Sequence, residues 1–265
     1  MRQESAARIV TLSPNLAELV FAVGAGEQLV GVSAFSNYPE AVSSLPLIGD
    51  AFMIDLEQLA LLHADLLLAW ESGTPARVVD ELRSRGYRVE VLRTRRLQDV
   101  ASALQKIGIL TGHEEEGELA ARDYQQGLRR LAEGNSGLSG IRVFYQVSRQ
   151  PIYTVTGSHY VSELIELCGG RNIFADLGDL APLVSEEAVL GRDPELLLAS
   201  DADGEQVFEE WARWPAMSAN RYSNHFLVPA DWIGRPGPRL VDAGREVCAR
   251  LQKGREQRAA AAARS

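Results

Sequence analysis

The chain has 265 residues, 46 % of them hydrophobic and 24 % charged, enough for one large domain or two lobes with separate cores. Its formal net charge of -9 gives an acidic surface that repels phosphate backbones, so nucleic acid is a poor candidate partner. No run of about eighteen apolar residues is present, which argues against a membrane-spanning helix.

Taken in chain order, Met1 to Ala7 is short and polar, and Ile9 to Gly26 is apolar enough to suggest a signal peptide. That stretch carries Ser13-Pro14-Asn15 and Glu18, which suit a helix start better than a secretory core. It reads as a first strand, Arg8–Leu12, and a helix, Pro14–Val23, started by Ser13 and stopped by Gly24. Any export signal is then absent from this chain, either removed or never present. Strands are predicted at Leu29–Ser33, Asp65–Trp70 and Arg88–Leu92, and helices at Asp55–Leu62, Ala76–Arg85 and Leu97–Leu110. Such alternation predicts a parallel sheet covered by helices.

Glu114–Ala132 is rich in helix formers, contains no proline and predicts a long helix ending at Gly134-Asn135-Ser136-Gly137. The alternation then resumes. Strands are expected at Val143–Gln146, Glu195–Ala199 and His225–Val228, and helices at Tyr160–Leu167, Ser185–Leu190 and Pro238–Leu251. The basic, Ala-rich tail from Gln252 to Ser265 is expected to fray.

The segment Asp55 to Trp70 lies over Ser185 to Ser200 without a gap, and each carries Leu-Leu-Leu-Ala near its end. Chance likeness of two helix–strand units is the competing reading. Duplication predicts two Rossmann-like α/β lobes with parallel-sheet cores, 8–112 and 138–251. They are joined by a backbone helix and loop over 113–137, with a ligand cleft between the lobes. A single rigid helix between lobes predicts little relative movement. The match also pairs Glu57 with Glu187 in the first turn of a helix, where carboxylates are favoured in any case.

No catalytic constellation stands out. Gly24-Ala25-Gly26 follows a helix and reads as a helix stop, and Ser13 lies in no nucleophile elbow. His63, His113, His159 and His225 lack metal-ligand spacing. Cys168 and Cys248 are either two core thiols or one disulfide closing a long loop. Tyr38, Trp70, Tyr153 and the pair Asp231-Trp232 fall where strands give way to loops, the edge at which open α/β sheets bind ligands. Flat rings there suit a large planar ligand, with Asp231 and Arg235 as polar anchors.

These residues carry a resemblance. Arg8-Ile-Val-Thr-Leu-Ser-Pro-Asn with Glu18, Tyr38-Pro39, Asp65-Leu-Leu-Leu-Ala-Trp70, the stretch Leu167 to Phe174, Val184-Ser-Glu-Glu187 and Arg235-Pro-Gly-Pro-Arg239 resemble the periplasmic cobalamin-binding proteins of ABC importers. The wider class also binds haem and siderophores. The resemblance implies a monomeric, non-enzymatic carrier with no cofactor or metal. It implies corrinoid contacts at Tyr38, Trp70, Tyr153, Asp231 and Arg235, with Trp232 adjacent, and a Cys168–Cys248 disulfide. Glu57 and Glu187 correspond to lobe-tip glutamates that dock on a dimeric permease. A periplasmic location is implied, with a cytoplasmic corrinoid-handling protein as the alternative. Two tryptophans of the cobalamin branch are missing: Ala51, beside Phe52, stands at one place, and the other lies near Ala181.

Overall fold

The computed structural model describes residues 5–264. Met1 to Glu4, in the short polar start, and Ser265, at the end of the basic tail, lie outside the described residues. Two compact units are present, the first of residues 1–125 with 236–238 and the second of 126–235 with 239–265.

The first unit contains β1 (Ile9–Thr11), α1 (Pro14–Ala22), β2 (Leu29–Val32), α2 (Leu56–Leu61), β3 (Leu66–Trp70), α3 (Ala76–Ser84), β4 (Val89–Leu92) and α4 (Leu97–Thr111). The unit boundary falls within α5 (Glu114–Gly134), the long helix that joins the two. The second unit continues with β5 (Ile141–Gln146), α6 (Tyr160–Leu167), β6 (Gly170–Asn172), α7 (Glu186–Arg192) and β7 (Leu196–Ser200). It closes with α8 (Ser218–Arg221), β8 (His225–Val228), α9 (Ala230–Ile233) and α10 (Leu240–Ala262).

Each unit holds one four-stranded sheet, and the strand orders correspond: β2-β1-β3-β4 and β6-β5-β7-β8. Every pairing is parallel. Both faces of a parallel sheet are covered by helices, so its strands are apolar throughout. Leu66 to Ala69 and Leu196 to Ala199 are accordingly buried along their whole length. The first core gathers Val10, Leu12, Leu59, Leu67, Val79 and Leu82. The second is aromatic: Phe174 and Trp211 meet Phe144 edge-on at centroid distances of 5.8 and 5.7 Å.

The duplication reaches individual bonds. Asp55 caps α2 by accepting the Gln58 N–H at 2.9 Å, and Ser185 caps α7 through the Ala188 N–H at 3.2 Å. Both units exit the helix through a non-glycine residue in the left-handed region, His63 at φ 46° and Asp193 at φ 42°. A carboxylate then anchors the start of the central strand. Asp65 accepts the N–H groups of Ala7 and Arg8 at 2.9 and 3.2 Å, while Arg8 Nε donates to the Leu62 carbonyl at 2.9 Å. In the second unit Glu195 accepts the Arg142 N–H at 2.9 Å, and Arg142 Nε donates to the Asp193 carbonyl at 2.8 Å.

Several elements differ from expectation. Ser13 stands at the N-cap of α1, but its hydroxyl donates to Asn15 Oδ1 at 2.6 Å and makes no capping bond. The short edge strand β6 is polar and was not expected, nor was the 3₁₀ run Asp201–Arg213 with its glycine kink at Gly204. The tail from Gln252, expected to fray, continues α10 to Ala262. Tertiary bonds hold it: the buried Arg255 donates from Nε to the Ser139 carbonyl at 2.8 Å and from Nη2 to the Cys168 carbonyl at 2.6 Å. No helix among the described residues is long and apolar enough to cross a membrane.

Cys168 and Cys248 form a disulfide across 80 residues of sequence. Closing a loop of that length removes denatured-state entropy worth about 4 kcal/mol. Urea unfolding of the Cys168→Ser/Cys248→Ser double variant should show a loss of about that size, and an unchanged midpoint would refute the entropic account.

His159 caps α6 with Nδ1 accepting the Val161 N–H at 3.2 Å, and its ring lies 4.2 Å from that of Tyr160. Burial pulls its pKa from 6.5 down to about 4. The unfolded chain therefore takes up this proton first, and stability falls as pH drops from about 6.5 to 4, by about 2 kcal/mol after allowance for partial exposure. Below pH 4 both states are protonated and no further loss arises. His159→Asn keeps an acceptor for the cap and removes the titration, so its stability curve should be flatter across that window; an equally steep curve would place the acid sensitivity elsewhere.

Candidate functional site

In the first unit, the candidate residues follow the carboxyl ends of strands that flank β1. The chain leaving β2 places Phe35 at φ 66° with 81 % of its surface exposed. The half-exposed Tyr38 follows, joined to Pro39 by a cis peptide bond. Ala34 N–H donates to the Gly49 carbonyl at 2.7 Å and ties this loop to a second one.

The second loop, Gly49 to Ile54, is a tight turn built around one carboxylate. Asp50 Oδ1 accepts the N–H groups of Phe52 and Met53, each at 2.8 Å, and these bonds hold its pKa below the usual carboxylate value. Gly49, at φ 96°, permits the turn, since a Cβ there would stand 2.1 Å from the Met53 carbonyl oxygen. The outcome is that Phe52 and Met53 point into solvent, 62 % and 77 % exposed.

Trp70 ends β3 in a different way. Its carbonyl accepts the N–H of Thr74 at 2.7 Å, its own N–H donates to Thr74 Oγ1 at 3.2 Å, and the ring packs on Gly73. A Cβ at Gly73 would lie 2.3 Å from the indole, so glycine is required for that packing. The indole Nε1 is enclosed and has no hydrogen-bond partner among the described residues.

In the second unit, Tyr153 sits in a small set of bridges after β5, pairing with Ser148 on one side and Leu183 on the other. Val147 N–H donates to the Tyr153 carbonyl at 2.8 Å, and Thr154 Oγ1 donates to the Tyr145 carbonyl at 2.7 Å. Val147, Tyr153 and Leu183 are thereby displayed together, all exposed. After β8, Asp231 and Arg235 pair at 2.6 Å, with the Arg235 side chain only 13 % exposed, and Trp232 lies half-buried in α9. Ala230 N–H donates to Asp201 Oδ1 at 2.7 Å, which holds the start of α9 to the chain leaving β7.

Tyr38 and Trp70 thus share one sheet edge, as do Tyr153, Asp231, Trp232 and Arg235 in the other unit. Sequence reasoning overlooked Phe35, Met53, Val147 and Leu183, apolar residues inside otherwise loop-like stretches. Their signal is an apolar side chain beside turn formers, as in Gly49-Asp50 before Met53. No cluster of His, Cys, Asp or Glu suited to a metal occurs among the described residues.

Glu57 and Glu187 are both exposed in the first turns of α2 and α7. Glu186, next to Glu187, is clamped by Arg213 at 2.7 and 2.9 Å. Glu187 instead interacts with Ser185 and its own backbone N–H, bonds that lower its pKa. It stays ionised and open to an outside partner.

A family model described as periplasmic binding protein matches residues 9–230. A vitamin B12-binding protein of Vibrio cholerae is 35 % identical over 256 residues, covering 95 % of this chain and 91 % of the relative. Another from Vibrio parahaemolyticus is 33 % identical over 263 residues, covering 97 % and 94 %. Among solved structures, the periplasmic vitamin B12 binding protein BtuF of Vibrio cholerae superposes with a TM-score of 0.83 at 35 % identity, over 94 % of this chain and 98 % of its own. The periplasmic heme-binding protein RhuT from Roseiflexus sp. RS-1 reaches 0.83 at 22 % identity, covering 95 % and 99 %, a likeness of fold alone.

Proposed function

This chain belongs to the periplasmic binding protein family, and on that premise we propose that it captures cobalamin or a related corrinoid and delivers it to the permease of an ABC importer. It is a ligand carrier and not an enzyme, and the corrinoid is cargo, not a cofactor. The carrying observation is the set of rings held by local turns at the carboxyl edges of both sheets, in a chain alike over nearly its full length to vitamin B12-binding proteins. Tyr38, Trp70 and Tyr153 offer flat apolar area to a corrin ring, and burying such area is the main attraction available. Asp231 and Arg235 would fix its polar side chains, and Trp232 adds a further ring. Phe52 and Met53 stand beside Ala51, where the cobalamin-binding proteins that the chain resembles carry a tryptophan, and would cover part of the same ligand.

Glu57 and Glu187 are the proposed contacts with the permease. One carboxylate from each half of a duplicated protein suits a two-fold symmetric partner carrying arginines. The protein would act as a monomer in the periplasm, and the disulfide agrees with an oxidising compartment.

Calorimetric titration with cyanocobalamin should give saturable one-to-one binding, weakened about tenfold by Trp70→Ala or Tyr153→Ala. A Soret band on adding haemin, with no response to cyanocobalamin, would keep the carrier role and replace the cargo. Charge reversal at both Glu57 and Glu187 should abolish ligand delivery to the membrane-embedded permease while affinity stays unchanged; a collapse of affinity would remove these residues from the docking role.

A further inference from the structure

The second sheet has an open edge that the ligand and permease surfaces do not use. β8 is the last strand in the order β6-β5-β7-β8 and pairs with β7 alone. Leu197 N–H bonds to the Asn224 carbonyl. In a parallel ladder that register turns the backbone groups of Phe226 toward β7 and those of His225 and Leu227 outward. Among the described residues, nothing hydrogen-bonds to these outward groups.

The matching edge of the first unit is different. Arg83 Nη2 donates to the Val89 carbonyl at 3.0 Å, and Val89 holds the register position that His225 holds in the repeat. One copy of the fold closes its edge with its own side chain. The other leaves it open.

The open edge forms the floor of a groove of about 980 Å³, with walls of opposite charge. On one face of the sheet, Arg250 and Lys253 of α10 lie over the Phe226 ring at 5.9 and 5.6 Å. On the other, Phe208 of the 3₁₀ run packs against His225 at 5.5 Å, and Asp203 and Glu205 line the wall. Neither carboxylate is ion-paired among the described residues, whereas Glu209 of the same wall binds Arg149 at 3.1 Å. Arg250 pairs through Nη2 with Glu246 at 2.6 Å, so Lys253 is the cation of this wall without an ion pair among the described residues. Arg250 Nε and Gln257 Oε1, both on the groove, are enclosed without hydrogen-bond partners.

We propose that this edge receives an extended peptide segment of a partner protein, added to β8 as a further strand. Alternate side chains of a strand face opposite sides of the sheet, so one parity meets the carboxylates and the other the cations. The matching segment is basic at one parity and acidic at the next. A second copy of this chain is a poor occupant. Antiparallel continuation of the sheet would keep like walls on the same side and bring Arg250 and Lys253 against their counterparts.

Fluorescence anisotropy with a dye-labelled hexapeptide alternating lysine and glutamate tests this, against a peptide of the same composition with the two residues in separate blocks. The alternating peptide should bind saturably and at least about tenfold more tightly, since the block sequence sets like charges against each other. Leu227→Pro removes an outward N–H and spares the ladder, which runs through Phe226 and Val228, so binding should vanish while circular dichroism is unchanged. Should that variant not fold, Lys253→Glu supplies the test, with an expected weakening of about tenfold. Equal binding of the two peptides, or full binding by either folded variant, overturns the proposal. So does a concentration-dependent dimer that Leu227→Pro dissolves, which would give the edge to a second copy.

Discussion

Each sheet depends on a carboxylate that pins the amino end of its central strand. Asp65 and Glu195 lie at the mouths of the buried strands β3 and β7 and accept backbone N–H groups from the neighbouring segment, Ala7 and Arg8 just before β1 and Arg142 within β5. Without that bond, the neighbouring strand could slide by a residue, and one step would turn every side chain to the wrong face. With it, three leucines and an alanine enter the sheet in register. The arginines that complete the anchor, Arg8 and Arg142, reach the carbonyls that end the preceding helices. One small cluster therefore sets strand register and helix placement together, and the short helices it holds bear Glu57 and Glu187.

The parallel sense of the sheets decides where function can sit. Helices cover both faces, so the chain is free to vary only beyond the strand ends. At the carboxyl ends, this protein places apolar side chains in solvent and fixes them there by local chemistry. Asp50 gathers two N–H groups, Gly49 and Gly73 accept close approaches, and Tyr153 is bracketed by two bridges. Exposed apolar residues held this firmly suit the covered ligand surface proposed for them. Because the turns are already made, little ordering entropy remains to oppose binding.

Much of this was legible in the sequence. The gap-free match of Asp55–Trp70 with Ser185–Ser200 corresponds residue for residue to β3 and β7 and to the caps of α2 and α7, because periodicity and capping are local properties. The position of Trp70 at the end of β3 was legible because it closes the apolar run Leu66 to Ala69, and Tyr38 and Tyr153 were placed after strands by the turn residues around them. What escaped depends on distant contacts. The tail helix persists because Arg255 finds carbonyls at Ser139 and Cys168, more than eighty residues away. Phe35 and Met53 read as ordinary loop residues, since only the folded turns show that they face outward. The spacing of the two cysteines alone left a choice between thiols and a bond; the resemblance implied the bond, and the structure joins them with Cα atoms 4.7 Å apart.

The central claim is that the turn-held apolar residues at the carboxyl edges of both sheets form the ligand surface. Hydrogen exchange with and without saturating cyanocobalamin tests it most directly. The account predicts added protection in the loops around Tyr38, Phe52, Trp70, Tyr153 and Asp231, with the core strands unchanged. Protection confined to one unit, or found along β8 and α10 instead, would contradict it.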